Sequence, residues 1–528
     1  MNVFTKLIIY ETDCLRIMLT RLKSPYVAVT LVFTALFIAM FRLMPVMHDD
    51  IWYRYYLYDY MQNPTWDNFL KGFLDNFEFR STKDNIRIPN LIMPVLIGFT
   101  NWIPAILNGC CLGLTVWLGA KLTGIWRRSA AGFTVWLLGV LYMLPWACYM
   151  FGTAYATNYV PTMVLMLLCT LLYFRPRTSV WTLFGISLLS SLWHESALAT
   201  LVGGTCGLMI FDRSYRDRRS AAVLAGCLIA FAVYFLASAT TNRIGWEFNM
   251  WEFKHLTSGI FYSIWFYIYV IVVAVLLMKK STRTRIWTPL LIYITAGAVA
   301  GWCVHRVFSS NERASWMMLV FTALGFAVIV RTFVRSSKLV RLSSAALILL
   351  CMAQHAACLP WFQRLRNEQE YAVALAKANP RKESLFAPMT LPTEQPLYIL
   401  GRPNFNSYNQ FGFPLFQVVP DRLRDFSPEK ATPIGMDGCE AYLYKGLIVL
   451  PYQRIDQTNR LCDVRYGTSY PRLTSCSISY FSNDAGKFVL IRVSHQLNLI
   501  INEDITGFYL RDYSYDNQFA YLYDVKYL

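Results

Sequence analysis

Charge is what this chain has least of. Only 15% of its 528 residues are Asp, Glu, Lys or Arg, against about a quarter in an ordinary soluble domain. That scarcity excludes a conventional water-soluble fold for most of the chain. Acids are the scarcer sign, 32 against 49 basic residues. There is no CxxC and no Cys/His spacing suited to zinc, which removes the usual thiol-redox and zinc-finger classes. There is no P-loop and no Gly-rich dinucleotide fingerprint, so the common nucleotide-binding folds are excluded as well. Internal repeats and low-complexity tracts are absent. The N-terminus is expected to lack a cleavable signal, because its first apolar block is long enough to stay in a membrane.

What is there is apolar: 55% hydrophobic residues and a mean hydropathy of +0.35. The apolar residues come in blocks, and a bilayer core needs roughly 20 of them per helix. Such blocks recur at residues 26–45, 102–120, 130–150, 159–174, 180–192, 197–211, 221–239, 260–278, 286–303, 314–330 and 343–360. The expected fold is therefore a polytopic α-helical membrane domain of about eleven transmembrane helices over residues 1–360. A C-terminal extracytoplasmic α+β domain follows over residues 361–528. Residues 46–87 form a polar, aromatic loop with amphipathic patches, and the apolar stretch 88–100 is expected to lie along the interface. In the C-terminal domain a helix is predicted at 361–378 and strands at 397–400, 442–450, 487–493, 497–501 and 507–510.

The formal charge of +17 is not spread evenly. Six basic clusters lie before or between the apolar blocks: Lys6 to Lys23, Lys121 to Arg128, Arg175 and Arg177, Arg213 to Arg219, Lys279 to Arg285, and Arg331 to Arg341. They hold 21 basic residues against four acids, which accounts for the whole surplus. These clusters fall on alternate loops, the positive-inside pattern. The charge thus sets topology and calls for no nucleic acid. Ten of the 13 cysteines lie in or beside apolar segments and read as small core residues. Cys439, Cys462 and Cys476 lie in the C-terminal domain, where an oxidising compartment would allow one disulfide and one spare thiol.

Three constellations carry chemistry. His48-Asp49-Asp50 follows the first span directly; a half-buried carboxylate there suits base catalysis, and the plainer reading is a polar border capping the next helix. Trp193-His194-Glu195-Ser196 joins two short apolar helices. Ionisable groups at membrane depth are costly and usually face a cavity or a partner, although a turn reaching water would explain them too. The loop from His305-Arg306 to Asn311-Glu312-Arg313 puts guanidinium groups at headgroup level, suited to bidentate phosphate binding or simply to snorkelling. Arg54, Arg80 and Arg87 add cations on the same side. All three groups map to the face opposite the basic loops.

With Asp49-Asp50-Ile51-Trp52-Tyr53 in the first far-side loop, many spans and a soluble C-terminal domain, roughly the first 360 residues resemble the GT-C superfamily of membrane glycosyltransferases. The likeness is closest to bacterial members described as membrane proteins of unknown function. The resemblance implies a hexosyltransferase-type enzyme of a bacterial inner membrane. It would transfer a sugar from a polyprenyl-phosphate-linked donor to a glycan, lipid or protein acceptor, with inversion. Asp49 or Asp50 would be the base. Arg306 and Arg313, by location, would bind the donor phosphate, with Arg54, Arg87, His48, His194 and Glu195 as further substrate-binding candidates. The pair is Asp-Asp rather than Asp-x-Asp, which leaves a divalent cation, magnesium or manganese, an open question and no cofactor certain. The expected partners are the lipid donor, the acceptor and membrane lipids.

A transporter or flippase for lipid-linked saccharides is the principal alternative. It should show charged groups inside its spans and inverted repeats, whereas beyond Arg42 only His355 stands out there. A saccharide polymerase and a non-catalytic scaffold complete the alternatives. The topology is directly testable: reporters fused after Arg128, Arg219, Arg285 and Arg341 should read cytoplasmic, and one at Leu528 extracytoplasmic. A cytoplasmic signal at Leu528 would remove the proposed site together with the topology.

Overall fold

The computed structural model describes residues 25–44, 49–82, 86–99, 102–125, 129–146, 151–237, 263–308, 315–378, 384–388, 417–434, 441–445, 447–451, 459–466, 472–491, 505–512 and 522–524. The chain divides into two compact units. The first comprises Met1–Arg42, Trp52–Leu359 and Ile399–Gly401; the second comprises Leu43–Ile51, Pro360–Tyr398 and Arg402–Leu528.

The described helices, in chain order, are α1 (Pro25–Leu43), α2 (Asp49–Tyr56), α3 (Tyr58–Gln62), α4 (Trp66–Thr82), α5 (Ile88–Phe99), α6 (Trp102–Leu122), α7 (Ala130–Leu138), α8 (Thr153–Tyr173), α9 (Val180–Trp193), α10 (Glu195–Phe211), α11 (Arg218–Leu236), α12 (Ile264–Met278), α13 (Lys280–Ile286), α14 (Pro289–Phe308), α15 (Trp316–Phe333) and α16 (Lys338–Ala378). Helix α7 runs on as a π-helical turn, Gly139–Met143. Among the described residues six helices, α1, α6, α8, α11, α15 and α16, are long and apolar enough to cross a membrane. Helices α13 and α14 add a seventh candidate if their 86° bend is taken within one span. This is a helical membrane unit. The loop over residues 46–87 is itself mostly helical, and α16 passes through Pro360 without the break expected there between a span and a separate helix.

Lipid supplies no hydrophobic drive between helices, so close backbone approach takes over. On α10, a methyl group at Gly203 would lie 2.1 Å from Ala300 Cβ and one at Gly207 2.2 Å from Ala296 Cβ, both on α14. Gly109 and Gly113 repeat the same spacing on α6, against Ile38 and Thr34 of α1. The basic end of this unit is built by arginines closing helix C-termini. Arg219 donates to the carbonyls of Leu172, Tyr173, Arg175 and Pro176 at 3.0, 2.7, 2.6 and 2.7 Å, and Arg331 donates to that of Thr123. Cations suit these carbonyl-rich ends.

Prolines shape the opposite end. Pro94 lies inside α5 and Pro161 inside α8, and neither can donate to the carbonyl four residues earlier. Those carbonyls belong to Asn90 and Thr157. Asn76 Nδ2 of α4 donates to the Asn90 carbonyl at 3.1 Å, and Trp193 Nε1 of α9 donates to the Thr157 carbonyl at 2.8 Å.

In the second unit, β1 (Ser384–Ala387) and β2 (Gln417–Pro420) pair in parallel, while β3 (Thr432–Ile434), β4 (Ala441–Tyr444), β5 (Leu447–Pro451), β6 (Asn459–Tyr466), β7 (Arg472–Asn483), β8 (Gly486–Ile491), β9 (Ile505–Asp512) and β10 (Leu522–Asp524) form one antiparallel sheet in the order β10-β9-β6-β7-β8-β5-β4-β3. The strand predicted at 442–450 is a hairpin, β4 (Ala441–Tyr444) and β5 (Leu447–Pro451), turning where Lys445 takes a φ of 47°. Phe426 centres the core, its ring packed on Tyr444, Phe481 and Phe488. The strand predictions at 487–493 and 507–510 correspond to β8 (Gly486–Ile491) and β9 (Ile505–Asp512). Those at 397–400 and 497–501 lie outside the described residues.

The proline pairing predicts a suppressor. Trp193→Phe keeps an aromatic ring, though a smaller one, and strands the Thr157 carbonyl, a loss of about 1–3 kcal/mol for the carbonyl alone. Pro161→Ala restores the backbone donor and should recover most of it. Thermal melts of the purified single and double variants test this; a double variant no more stable than Trp193→Phe would refute the pairing.

Candidate functional site

The turn between α9 and α10 is two residues of chemistry held by one backbone corner. His194 ends α9, its N–H donating to the Ser190 carbonyl at 3.3 Å, and also caps α10. Its Nδ1 accepts from the Ser196 amide at 3.2 Å and stands 2.9 Å from Ser196 Oγ. A backbone N–H can only donate, so the Nδ1 lone pair faces it and the neutral ring carries its proton on Nε2. The ring is buried and tilts against Tyr159 at 4.4 Å between centroids.

Glu195 opens α10, where a carboxylate complements the helix dipole. Arg87 Nε donates to Glu195 Oε2 at 2.7 Å and Arg87 Nη2 donates to Oε1. Arg87 stands just before α5, where a cation opposes the dipole, so the carboxylate offsets an otherwise unfavourable placement. The side chains keep 18% and 46% of their surface open, respectively. The pair is thus neither a surface ion pair nor a sealed one, and it joins segments 108 residues apart.

A layer of amides surrounds it. Asn158 Nδ2 of α8 donates to Asn90 Oδ1 of α5 at 2.9 Å, and Asn108 Nδ2 of α6 donates to Thr157 Oγ1 at 3.1 Å. Arg80 of α4 lies over the Tyr53 ring at 4.3 Å. Tyr234 of α11 donates to the Ser191 carbonyl at 2.8 Å. This layer gathers seven elements at the end of the first unit away from the arginine-closed C-termini.

Of the residues singled out by sequence, the structure brings together Arg87, His194 and Glu195. Asp49 begins α2 but its side chain, like that of Arg306, lies outside the description, and His48 and Arg313 lie wholly outside the described residues. Asp50 is buried on α2, at 2% exposure. Arg54 is half-buried one turn further on, so the two share a face of that helix. Asp49–Asp50 and the Arg87–Glu195 pair fall in different units. Among the described residues no group of three His, Cys, Asp or Glu is placed to hold a metal ion.

Sequence reasoning missed Asn76, Asn90, Asn108 and Asn158. Their signal was available: an amide in an apolar helix needs a partner, and Asn90 stands four residues before Pro94, as Thr157 does before Pro161. Compared with known proteins, the chain matches no family model, no curated protein and no solved structure.

The ion pair makes its own prediction. Glu195→Gln leaves Arg87 without its counter-charge and should cost about 1–3 kcal/mol, between the values for exposed and for buried pairs. The reversed pair, Arg87→Glu with Glu195→Arg, should melt above either single reversal. A Glu195→Gln protein with a wild-type melting temperature would show that the pair does not hold α5 to α10.

Proposed function

We propose that this chain is an integral membrane glycosyltransferase that takes its sugar from a polyprenyl-phosphate-linked donor and acts on the extracytoplasmic face. The observation that carries the reading is the Arg87–Glu195 pair beside His194, within the helical unit and away from its basic loops. A guanidinium kept at that depth by a carboxylate that leaves one of its ends open suits a lipid phosphate: Glu195 engages Nε and Nη2, and Nη1 retains its own N–H groups for phosphate oxygens.

In this reading the six long helices, the bent pair taken as one span and the shorter apolar helices α7, α9, α10 and α12 are counted as eleven crossings, with α5 at the interface. The N-terminus then faces the cytoplasm and the second unit faces outward, as in a bacterial inner membrane protein. In this scheme Asp49 or Asp50 takes the proton of the acceptor hydroxyl, with Asp49 favoured by analogy with the GT-C superfamily. The acceptor oxygen attacks the anomeric carbon, the bond from that carbon to the phosphate oxygen breaks, and polyprenyl phosphate leaves. In-line attack inverts the anomer. Arg87, with Arg306 and Arg313, stabilises the charge gathering on the phosphate. Acceptor glycan, lipid or protein enters from the water side.

The test uses the purified chain in nanodiscs with a panel of polyprenyl-phosphate hexoses, reading released polyprenyl phosphate and sugar transfer. General-base catalysis contributes about 10²–10⁴-fold. One of Asp49→Asn and Asp50→Asn should lower transfer by that order at unchanged abundance, and the other should mainly lower abundance. Two well-folded Asn variants with wild-type transfer would remove the acidic pair as the base, and a wild-type chain that transfers no sugar from any donor would end this reading and bring the flippase forward.

A further inference from the structure

Strand β7 (Arg472–Asn483) is the joint of the large sheet. Its first half, Arg472 to Ser477, pairs with β6 (Asn459–Tyr466), and its second half, Ile478 to Asn483, pairs with β8. Strands β9 and β10 (Leu522–Asp524) attach only through β6. Among the described strands, the six residue pairs between β6 and β7 are therefore all that ties the β6-β9-β10 ribbon to the β8-β5-β4-β3 half. Within that ladder Cys462 stands directly opposite Cys476, one position from where β7 changes partner.

Directly opposed residues of an antiparallel pair share a face of the sheet and have Cα atoms about 4.5 or 5.5 Å apart. Both spacings fall within the roughly 4.4–6.8 Å range that a disulfide spans. Neighbouring cysteines arise here without any motif for metal or redox catalysis, since the third cysteine of this unit, Cys439, lies on another segment.

The register points to a Cys462–Cys476 disulfide that clamps the outer ribbon to the rest of the sheet, with Cys439 as the spare thiol. This rests on the reading that places the second unit outside the cytoplasm, where disulfides persist. The oxidant is the disulfide of a thiol oxidoreductase. One cysteine thiolate attacks that disulfide, forming a mixed disulfide and releasing one donor thiol. The second thiolate attacks the first cysteine's sulfur, closing the Cys462–Cys476 bond and releasing the donor's other thiol. Two electrons and two protons leave the chain, and the donor departs as a dithiol.

The experiment uses the full-length chain in intact cells, quenched with N-ethylmaleimide and digested without reductant, alongside a fusion reporting the side of Leu528. The expected result is a cross-linked peptide containing Cys462 and Cys476, loss of alkylation at both, and its return after reduction. Cys462→Ala should leave Cys476 fully alkylated without reductant. An extracytoplasmic reporter with both cysteines alkylated in the unreduced wild type overturns the disulfide. So does a cross-link from either cysteine to Cys439. A cytoplasmic reporter with free thiols overturns the sidedness reading on which the disulfide depends, and the two failures are told apart by the reporter.

Discussion

A proline inside a helix leaves a carbonyl without its helical donor, and a buried carbonyl must find another. The end of the first unit away from the basic loops is organised around two such carbonyls. Asn90 loses its helical donor to Pro94 and is served by Asn76; Thr157 loses its donor to Pro161 and is served by Trp193. Each repair comes from a different element, so each fixes one helix against another. Trp193 immediately precedes His194, and Asn90 lies one turn from Arg87. The repairs therefore also fix both sides of the ion pair.

The rest of the helical unit lets those repairs be rigid. Close approach at Gly203 and Gly207 sets α10 against α14, which leaves Glu195 at the head of α10 little freedom to withdraw from Arg87. His194 adds a second restraint. As the cap of α10 it cannot turn its Nδ1 away from Ser196 without leaving an amide unsatisfied at the helix start. The charged group and the capping ring are thus held by different bonds, and changing one should not by itself release the other.

Much of this was legible in the sequence, and the gaps have physical causes. The apolar blocks gave the helices, because a period-free run of that length has few other uses. Glu195 was visible as a costly charge and Arg87 as a far-side cation, but nothing local pairs residues so far apart. In the second unit, residues 442–450 read as one strand because the turn at Lys445 interrupts an apolar run that stays apolar on both sides. Strands β6 and β7 were missed for the opposite reason: sequences such as Asn459-Arg460-Leu461-Cys462-Asp463 mix polar and apolar positions, and only pairing with each other, of β6 with β9 and of β7 with β8, reveals them. Pro360 misled as a terminator. Proline is disfavoured inside a helix, yet α16 continues through it.

Helix α4 shows how these constraints meet. Gly72, Asn76 and Arg80 recur every fourth residue and face the protein. Trp66, Leu70, Leu74 and Phe77 form an adjoining stripe that stays 70%, 40%, 53% and 43% exposed, while the charged Asp67, Lys71, Asp75 and Glu78 occupy the remaining arc, all exposed. Three faces with three chemistries suit a helix lying at the boundary of lipid and water. Its protein face carries the Asn76 amide that completes α5 at Asn90, so the depth at which α4 rests sets the depth of the start of α5. Arg87 is placed by that start. On the reading proposed above, the partition of α4 between lipid and water positions the guanidinium near headgroup level, where Glu195 supplies its counter-charge.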